Sequence, residues 1–89
     1  MLVRLESTVS TALMDDGGLV LLCERTGKLH RCNATAATMW TALLHHDGDP
    51  EGAASAVASH YGVEPDRVRA DLDVLLAGLS QASLVRMES

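Results

Sequence analysis

Histidine and acidic side chains near the middle of the chain are the best candidates for binding a metal ion. His45, His46, Asp47 and Asp49 are near neighbours, and His60 follows in the next predicted helix. Zinc ligands must converge, whereas adjacent histidines at a helix end point in different directions, and no H-E-x-x-H or C-x-x-C spacing is present. We therefore interpret this segment as a solvated loop and predict no metal site.

Two further patterns have reactive or metal-binding residue types but lack the partners that chemistry needs. The Asp-Asp-Gly-Gly run at 15–18 lacks the alternating ligands and distant glutamate of a calcium loop, so a hairpin turn is the better interpretation. Cys32 and His30 are two residues apart on a predicted strand, but no helix N-terminus or third group is specified to activate the thiol. The sequence predicts a protein that is not an enzyme and uses no cofactor.

Length and charge narrow the function classes further. A chain of 89 residues predicts one domain over 1–89, and its net charge of −5 has the wrong sign for binding nucleic acid. Neither a signal peptide nor an apolar run of membrane-spanning length is present, so we expect a cytoplasmic protein with no membrane partner. In that compartment Cys23 and Cys32 are expected to be reduced, buried thiols rather than a disulfide or a metal pair.

The first third of the chain predicts antiparallel strands. The β-prone run 1–14 precedes the turn at 15–18, so it should pair with the apolar run 19–24. Because 19–24 is almost entirely apolar, we expect burial on both of its faces and a central place in the sheet.

A third strand is predicted over 28–32, and its two faces differ. Leu29 and Arg31 share one face, and the other face holds Lys28, His30 and Cys32. As the last strand of the meander it has a free edge, which is either protected by its charges or used to bind another strand.

Three helices are predicted after the strands. Asn33 is the expected N-cap of the first, Asp49 that of the second, which Gly62 ends, and Glu64 precedes the third. Their expected core faces are Ala36, Met39, Trp40, Leu43 and Leu44; then Ala53, Val57 and Tyr61; then Val68, Leu72, Leu75, Leu76 and Leu79. Val63 is expected to form a hydrophobic staple with Val68. Leu84-Val85 is expected to form a short extended piece against the sheet.

This order predicts an α+β fold, namely a winged helix-turn-helix-like arrangement of a three-stranded antiparallel sheet followed by three helices. The third helix has a mixed flank, with Arg67, Asp71, Val74 and Gly78 spaced by four, three and four residues. The flank is either an ordinary boundary with an Arg67–Asp71 ion pair or one wall of a peptide groove whose other wall is the free strand edge.

Two stretches of the chain are G-G-L-V-L-L-C-E-R-T-G-K-L-H-R-C-N-A-T-A-A-T-M-W and Y-G-V-E-P-D-R-V-R-A-D-L-D-V-L-L. Together they resemble the PqqD-like family, the recognition elements of ribosomally made, post-translationally modified peptides. The resemblance runs from about Val9 to Val85 and is greatest to the stand-alone members from lasso-peptide pathways. Its most specific parts are the E-R-T-G turn, the N-x-T-A after the third strand, and Asp71 with the aliphatic residues after it.

The resemblance implies a winged helix-turn-helix in which the leader segment of a precursor peptide adds as an antiparallel strand to the third strand and packs on the last helix. The peptide-binding residues that it implies are Lys28, Leu29, His30, Arg31, Cys32, Arg67, Val68, Asp71, Leu72, Val74 and Leu75. Leaders of such pathways often carry a Tyr and a Pro a few residues apart, which an apolar pocket with backbone pairing would suit.

The leading hypothesis is a binding module that passes the precursor's leader to the leader peptidase of the same pathway, with the cyclase as a further candidate partner. A winged-helix DNA-binding regulator is the alternative, but it would need a basic recognition helix, and this one carries Asp66, Asp71 and Asp73 against Arg67 and Arg69. A third alternative is a structural subunit that stabilises an enzyme, which would need an exposed apolar patch.

Overall fold

The computed structural model describes residues 2–88 and contains two antiparallel sheets and three helices. In chain order the elements are β1 (Leu2–Leu5), β2 (Val9–Leu13), β3 (Leu19–Cys23), β4 (Leu29–Cys32), α1 (Ala34–His45), α2 (Pro50–Tyr61), α3 (Pro65–Gln81) and β5 (Val85–Glu88). One sheet has the order β2-β3-β4, and β1 pairs with β5 in the other. The predicted α+β class, with a three-stranded antiparallel sheet followed by three helices, is confirmed, and the second sheet is an addition to it.

The prediction of one continuous N-terminal strand is wrong. β2 pairs with β3, but β1 leaves that sheet and pairs with β5, with Leu2 opposite Glu88. A contact with the turn after α1 holds β1 in place, since the Val3 N–H donates to the Gly48 carbonyl at 2.8 Å. The C-terminal strand therefore does not lie against the main sheet as expected, because its hydrogen-bond partner is the other end of the chain.

β3 is the central strand, as predicted, but only one of its faces is buried. Leu19, Leu21 and Cys23 are buried, whereas Val20 and Leu22 between them are only half-buried. Strict alternation of this kind arises when one face of a sheet packs on helices and the other does not. The expectation of burial on both faces is therefore wrong, and the sheet has an open face.

The helix ends follow the predicted chemistry. Asn33 Oδ1 accepts from the Ala36 N–H at 2.8 Å, Asp49 Oδ1 accepts from the Glu51 N–H at 3.1 Å, and Gly62 ends α2 in the left-handed conformation. Satisfying the free N–H groups of a first turn fixes where each helix begins.

The core is aliphatic apart from Trp40, which is buried as predicted. All five expected core residues of α3 are buried, and they are Val68, Leu72, Leu75, Leu76 and Leu79. Two expectations are wrong, because Leu44 and Tyr61 are each 51% exposed. Leu44 lies in the last turn of α1, whose buried residues are Ala37, Met39, Trp40 and Leu43, and Tyr61 lies in the last turn of α2 with its hydroxyl 3.5 Å from Thr38 Oγ1.

Cys23 and Cys32 are unpaired and buried, as predicted. Cys32 lies opposite Leu19, four residues along β3 from Cys23, which separates the thiols by about 13 Å and excludes a disulfide. Hydrogen bonds from Thr26, chiefly from its side chain, lower the pKa of Cys23 to about 7 against the opposing effect of burial. Burial raises the pKa of Cys32.

Within residues 2–88, no helix combines the length and apolar character needed to span a membrane. The same residues contain no group of three or more His, Cys, Asp or Glu side chains placed to hold a metal ion.

Replacing Gly48 by alanine should destabilise the fold more than replacing Gly62. Both glycines have positive φ, but a Cβ at Gly48 would lie 2.2 Å from the Val3 carbonyl oxygen, whereas none of the protein lies within 4 Å of a Cβ at Gly62. We expect a loss of about 1–2 kcal/mol for Gly62→Ala and about 3 kcal/mol or more for Gly48→Ala, measured by urea unfolding. Equal losses would show that the β1 contact contributes nothing beyond the backbone strain.

The lowered pKa of Cys23 predicts a pH-dependent contribution to stability. Between its folded value of about 7 and its ordinary value of 9.0, the folded state binds fewer protons than the unfolded state, so the stability difference between wild type and Cys23→Ala should grow as pH rises. The contribution should be complete above pH 9 and lost as pH falls through about 7. Urea unfolding of the wild type and Cys23→Ala at pH 6 and pH 9 measures this contribution to the free energy of unfolding. A difference in stability that does not change with pH would contradict the lowered pKa of Cys23.

Candidate functional site

The inner hydrogen bonds of β4 determine which of its backbone groups are free. The Cys23 N–H donates to the Lys28 carbonyl at 2.9 Å, and two residues further along each strand His30 lies opposite Leu21. In an antiparallel pair, residues that exchange hydrogen bonds alternate with residues that do not. His30, like Lys28, is therefore in the set that bonds to β3.

Leu29 and Arg31 belong to the other set, so their N–H and C=O groups point away from β3. No strand within residues 2–88 pairs with this edge, and both side chains are exposed, Leu29 by 56%. The predicted free edge is confirmed in position, and it offers the N–H and C=O groups of two residues to a strand from outside.

α3 lies beside this edge and approaches it closely at Gly78. A Cβ built on Gly78 would lie 3.2 Å from His30 Cε1, so the imidazole ring rests against the helix where there is no side chain. The glycine allows β4 and α3 to approach closely at this end of the site. From His30 towards the N-terminus of α3, a groove runs between α1 and α3.

The groove has two compartments that share three lining residues. The near compartment has a volume of about 350 Å³ and is lined by His30, Asn33, Thr35, Ala36, Met39, Asp71, Val74 and Leu75. The far compartment has a volume of about 380 Å³ and is lined by Thr35, Met39, Val57, Tyr61, Val63, Arg67, Val68 and Asp71. Because Thr35, Met39 and Asp71 line both, the compartments form one continuous groove along α3.

The far compartment combines an apolar lining with two charges. The Arg67–Asp71 ion pair of the ordinary-boundary alternative is not formed, and the ion pairs on this helix instead join Arg69 to Asp73 at 3.1 Å and to Glu51 at 3.2 Å. Arg67 and Asp71 are in no ion pair formed within residues 2–88, and both are exposed. Charges of both signs are therefore available to a bound peptide.

The residues that the resemblance implied for peptide binding fall into three groups. Lys28, Leu29, Arg31, Arg67, Asp71 and Val74 are exposed, and Val74 is 75% exposed. His30 is half-buried, and the buried Val68 and Leu75 line the groove floor. Cys32 and Leu72 line neither compartment, being 5% and 1% exposed within the core.

Sequence reasoning missed seven residues that line the groove, namely Asn33, Thr35, Ala36, Met39, Val57, Tyr61 and Val63. Thr35 and Met39 lie one turn apart on α1, which was expected only to support the edge, while Tyr61 was expected in the core and Val63 in a staple. Val63 is 40% exposed and lines the far compartment together with Val68. The i, i+4 spacing of Thr35 and Met39 was a signal, but it does not show which face of α1 meets α3.

A larger cavity of about 540 Å³ lies on another side of α1, against the β2–β3 turn and α2. It is lined by Leu13, Gly17, Ala37, Thr38, Thr41, Ala42, His45, Ala56, Val57 and His60. β4 does not border it, and its lining includes no carboxylate and no Lys or Arg. We therefore place the candidate site at the groove beside β4.

Comparison with known proteins identifies a matching family and similar solved structures. The family described as Coenzyme PQQ synthesis protein D (PqqD) matches residues 18–85. A solved structure described as TbiB1 in complex with the TbiA(beta) leader peptide is 28% identical, with a TM-score of 0.82, and the match covers 97% of this chain and 98% of that chain.

A second structure, described as lasso peptide synthetase B1 complexed with the leader peptide, is 30% identical with a TM-score of 0.82. This match covers 98% of this chain and 100% of that chain. No curated protein sequence matches significantly.

Proposed function

Because the chain belongs to the PqqD family, we propose that it binds the leader segment of a ribosomally synthesised precursor peptide as a fourth strand on β4. The observation that carries the proposal is the outward-facing backbone of Leu29 and Arg31 beside a groove of matching direction. The two similar structures support it, since each is described with a leader peptide bound.

Main-chain pairing supplies affinity that depends little on the guest's sequence. An antiparallel guest strand would exchange N–H···O=C bonds with Leu29 and with Arg31, and the edge would no longer have free polar groups. The half-buried His30 bonds inward and packs on Gly78, so the edge is held against α3 before the guest arrives. This preorganisation lowers the ordering cost of binding.

Side chains of the guest that point towards the helices would enter the groove and provide specificity. The chain runs from Leu29 in β4 towards Thr35 in α1, which lines both compartments. α3 runs in the opposite direction, from Arg67 in the far compartment to Gly78 beside His30. An antiparallel guest would therefore place its N-terminal part over the far compartment and leave past Leu29. Its downstream segment, which a leader peptidase must reach, would emerge beside the turn between β3 and β4.

We assign the protein no chemistry of its own and place it in a lasso-peptide pathway, as a cytoplasmic carrier of the leader. Its partners would be the precursor, the leader peptidase and, as a further candidate, the cyclase. The description of one similar structure as lasso peptide synthetase B1 supports the pathway. The net charge of −5 and the acidic residues of α3 argue against nucleic acid as the partner.

Replacing Arg31 by proline should weaken leader binding about tenfold or more while the fold is retained. The substitution removes an outward N–H from an edge strand, where proline is tolerated, and so removes a hydrogen bond to the guest. Fluorescence anisotropy of a labelled lasso-peptide leader that carries a Tyr and a Pro a few residues apart measures the affinity. Duplex DNA serves as the non-peptide competitor and should not compete.

Thr11→Pro is the matched control for this experiment. Thr11 lies opposite Leu21 on β2, and the bond from the Met14 N–H to the Gly18 carbonyl at 2.9 Å places the Thr11 N–H on the other outer edge of the sheet. The control should bind the leader normally. His30→Pro should instead unfold the sheet edge, because the His30 N–H bonds to β3. Equal binding by Arg31→Pro and wild type would refute strand addition on β4.

Val74→Asn should weaken leader binding about fivefold with little change in stability. Val74 is 75% exposed and lines the near compartment, so it loses apolar contact only when the guest is present. Ala77→Asn places the same side chain at an exposed position of α3 that lines neither compartment, and it should leave affinity unchanged. Anisotropy and urea unfolding of both variants are compared, and a stability loss for Val74→Asn equal to its binding loss would make Val74 a structural residue.

A further inference from the structure

The open face of the three-stranded sheet ends at the proposed binding edge in two rows of side chains. Ser10 lies opposite Leu22, which lies opposite Leu29, so these three residues form one row across the sheet. The neighbouring row is Ala12, Val20 and Arg31. A strand added to β4 would extend each row by one residue, since directly opposite residues in an antiparallel pair project to the same face.

The row that ends in Leu29 is apolar at the edge. Leu22 is half-buried and Leu29 is 56% exposed, so the apolar surface of the row is covered on one side only. A guest residue opposite Leu29 would lie with its Cβ about 5 Å away and would cover that surface if it were apolar. A charged residue there would be desolvated against leucine without a partner.

The row that ends in Arg31 has an unmatched positive charge. The ion pairs within residues 2–88 involve Arg4, Arg69 and Arg86 but not Arg31, whose side chain is exposed. Val20 beside it is uncharged, so the carboxylate that would complement this charge has to come from the guest. An oppositely charged pair directly across two strands is favourable, and a like-charged pair is unfavourable.

Leu29 and Arg31, the last residues of the two rows, are also the β4 residues whose backbone groups face the guest. Leu29 and Arg31 would therefore form the closely hydrogen-bonded pairs with it, and the guest side chains opposite them are fixed in position by the main chain. The intervening guest residue, opposite His30, projects to the helices and is selected by the near compartment instead.

We infer that the leader carries an acidic residue opposite Arg31 and an apolar residue opposite Leu29, in the order acidic, any residue, apolar from N- to C-terminus. The inference rests on the proposed function, because it presumes antiparallel addition to β4. The order follows from that direction, since a guest antiparallel to β4 reaches Arg31 two residues before Leu29. The pattern is separate from whatever the two compartments of the groove select.

A peptide display library tests the pattern without knowledge of the natural precursor. Random 16-residue peptides displayed on yeast are selected with the folded, biotinylated full chain, and in parallel with Arg31→Glu and Arg25→Glu. The wild type should enrich Asp or Glu two positions before Leu, Ile, Val or Phe. Arg31→Glu should enrich Lys or Arg at the first position and keep the apolar preference at the second.

Arg25→Glu changes net charge by the same amount but lies in the exposed turn outside β4, so it should keep the wild-type pattern. Individual enriched peptides are then synthesised with Glu or Lys at the first position. Each mismatched combination with wild type or Arg31→Glu should bind about two- to fivefold more weakly than the matched one. Circular dichroism verifies that the variants are folded.

The outcomes separate the inference from the function on which it rests. If the folded wild type enriches no peptides, both are overturned. If it enriches peptides that lack the pattern, or if Arg31→Glu leaves the charge preference unchanged, the inference is overturned and strand addition stands. Enrichment of the reversed order, apolar before acidic, overturns the inference by contradicting the antiparallel direction.

Discussion

The hydrogen-bond ladder between β3 and β4 uses the backbone of every second residue of β4, and the remaining features of the site depend on that alternation. In a strand, the residues that share a backbone direction also share a face. His30 and Cys32 bond inward and project to the helices, so they fix the strand to the core. Leu29 and Arg31 have free backbone groups and project to the open face. Alternate residues of this short strand therefore either attach it to the protein or remain available to a guest strand.

The groove begins where the His30 ring rests against α3 and continues towards the N-terminus of that helix. Gly78 has no side chain, so the His30 ring lies directly on the helix and sets the spacing of the two walls there. At the other end Tyr61 is too exposed to belong to the core and instead lines the far compartment. The exposed C-terminal end of α2 is thus part of the candidate site.

The sequence best predicted those features that depend on interactions between residues close together in the chain. The caps at Asn33, Asp49 and Gly62 and the core face of α3 follow from side-chain hydrogen bonds, backbone freedom and helical spacing within a few residues. The alternation of β4 and its place at the sheet edge followed from the turn before it and the helix after it.

What could not be predicted depends on long-range register. The pairing of β1 with β5 joins the two ends of the chain, and strands of four residues with mixed side chains have no periodic signal that identifies such a partner. Tyr61 continued the apolar spacing of α2 but lies beyond the region that α1 and α3 cover, which only the relative placement of the helices decides. The outward direction of the Arg31 N–H likewise requires the register with β3.

The β1–β5 pairing makes the fold suitable for circular permutation. Leu2 and Glu88 are directly opposite in the ladder, so their Cα atoms lie about 5 Å apart and a linker of a few residues could join the ends. New termini opened between the exposed Asp15 and Asp16 would leave β4, α3 and the connection between them uninterrupted. The proposed binding edge would then keep its neighbours although the order of the strands along the chain changes.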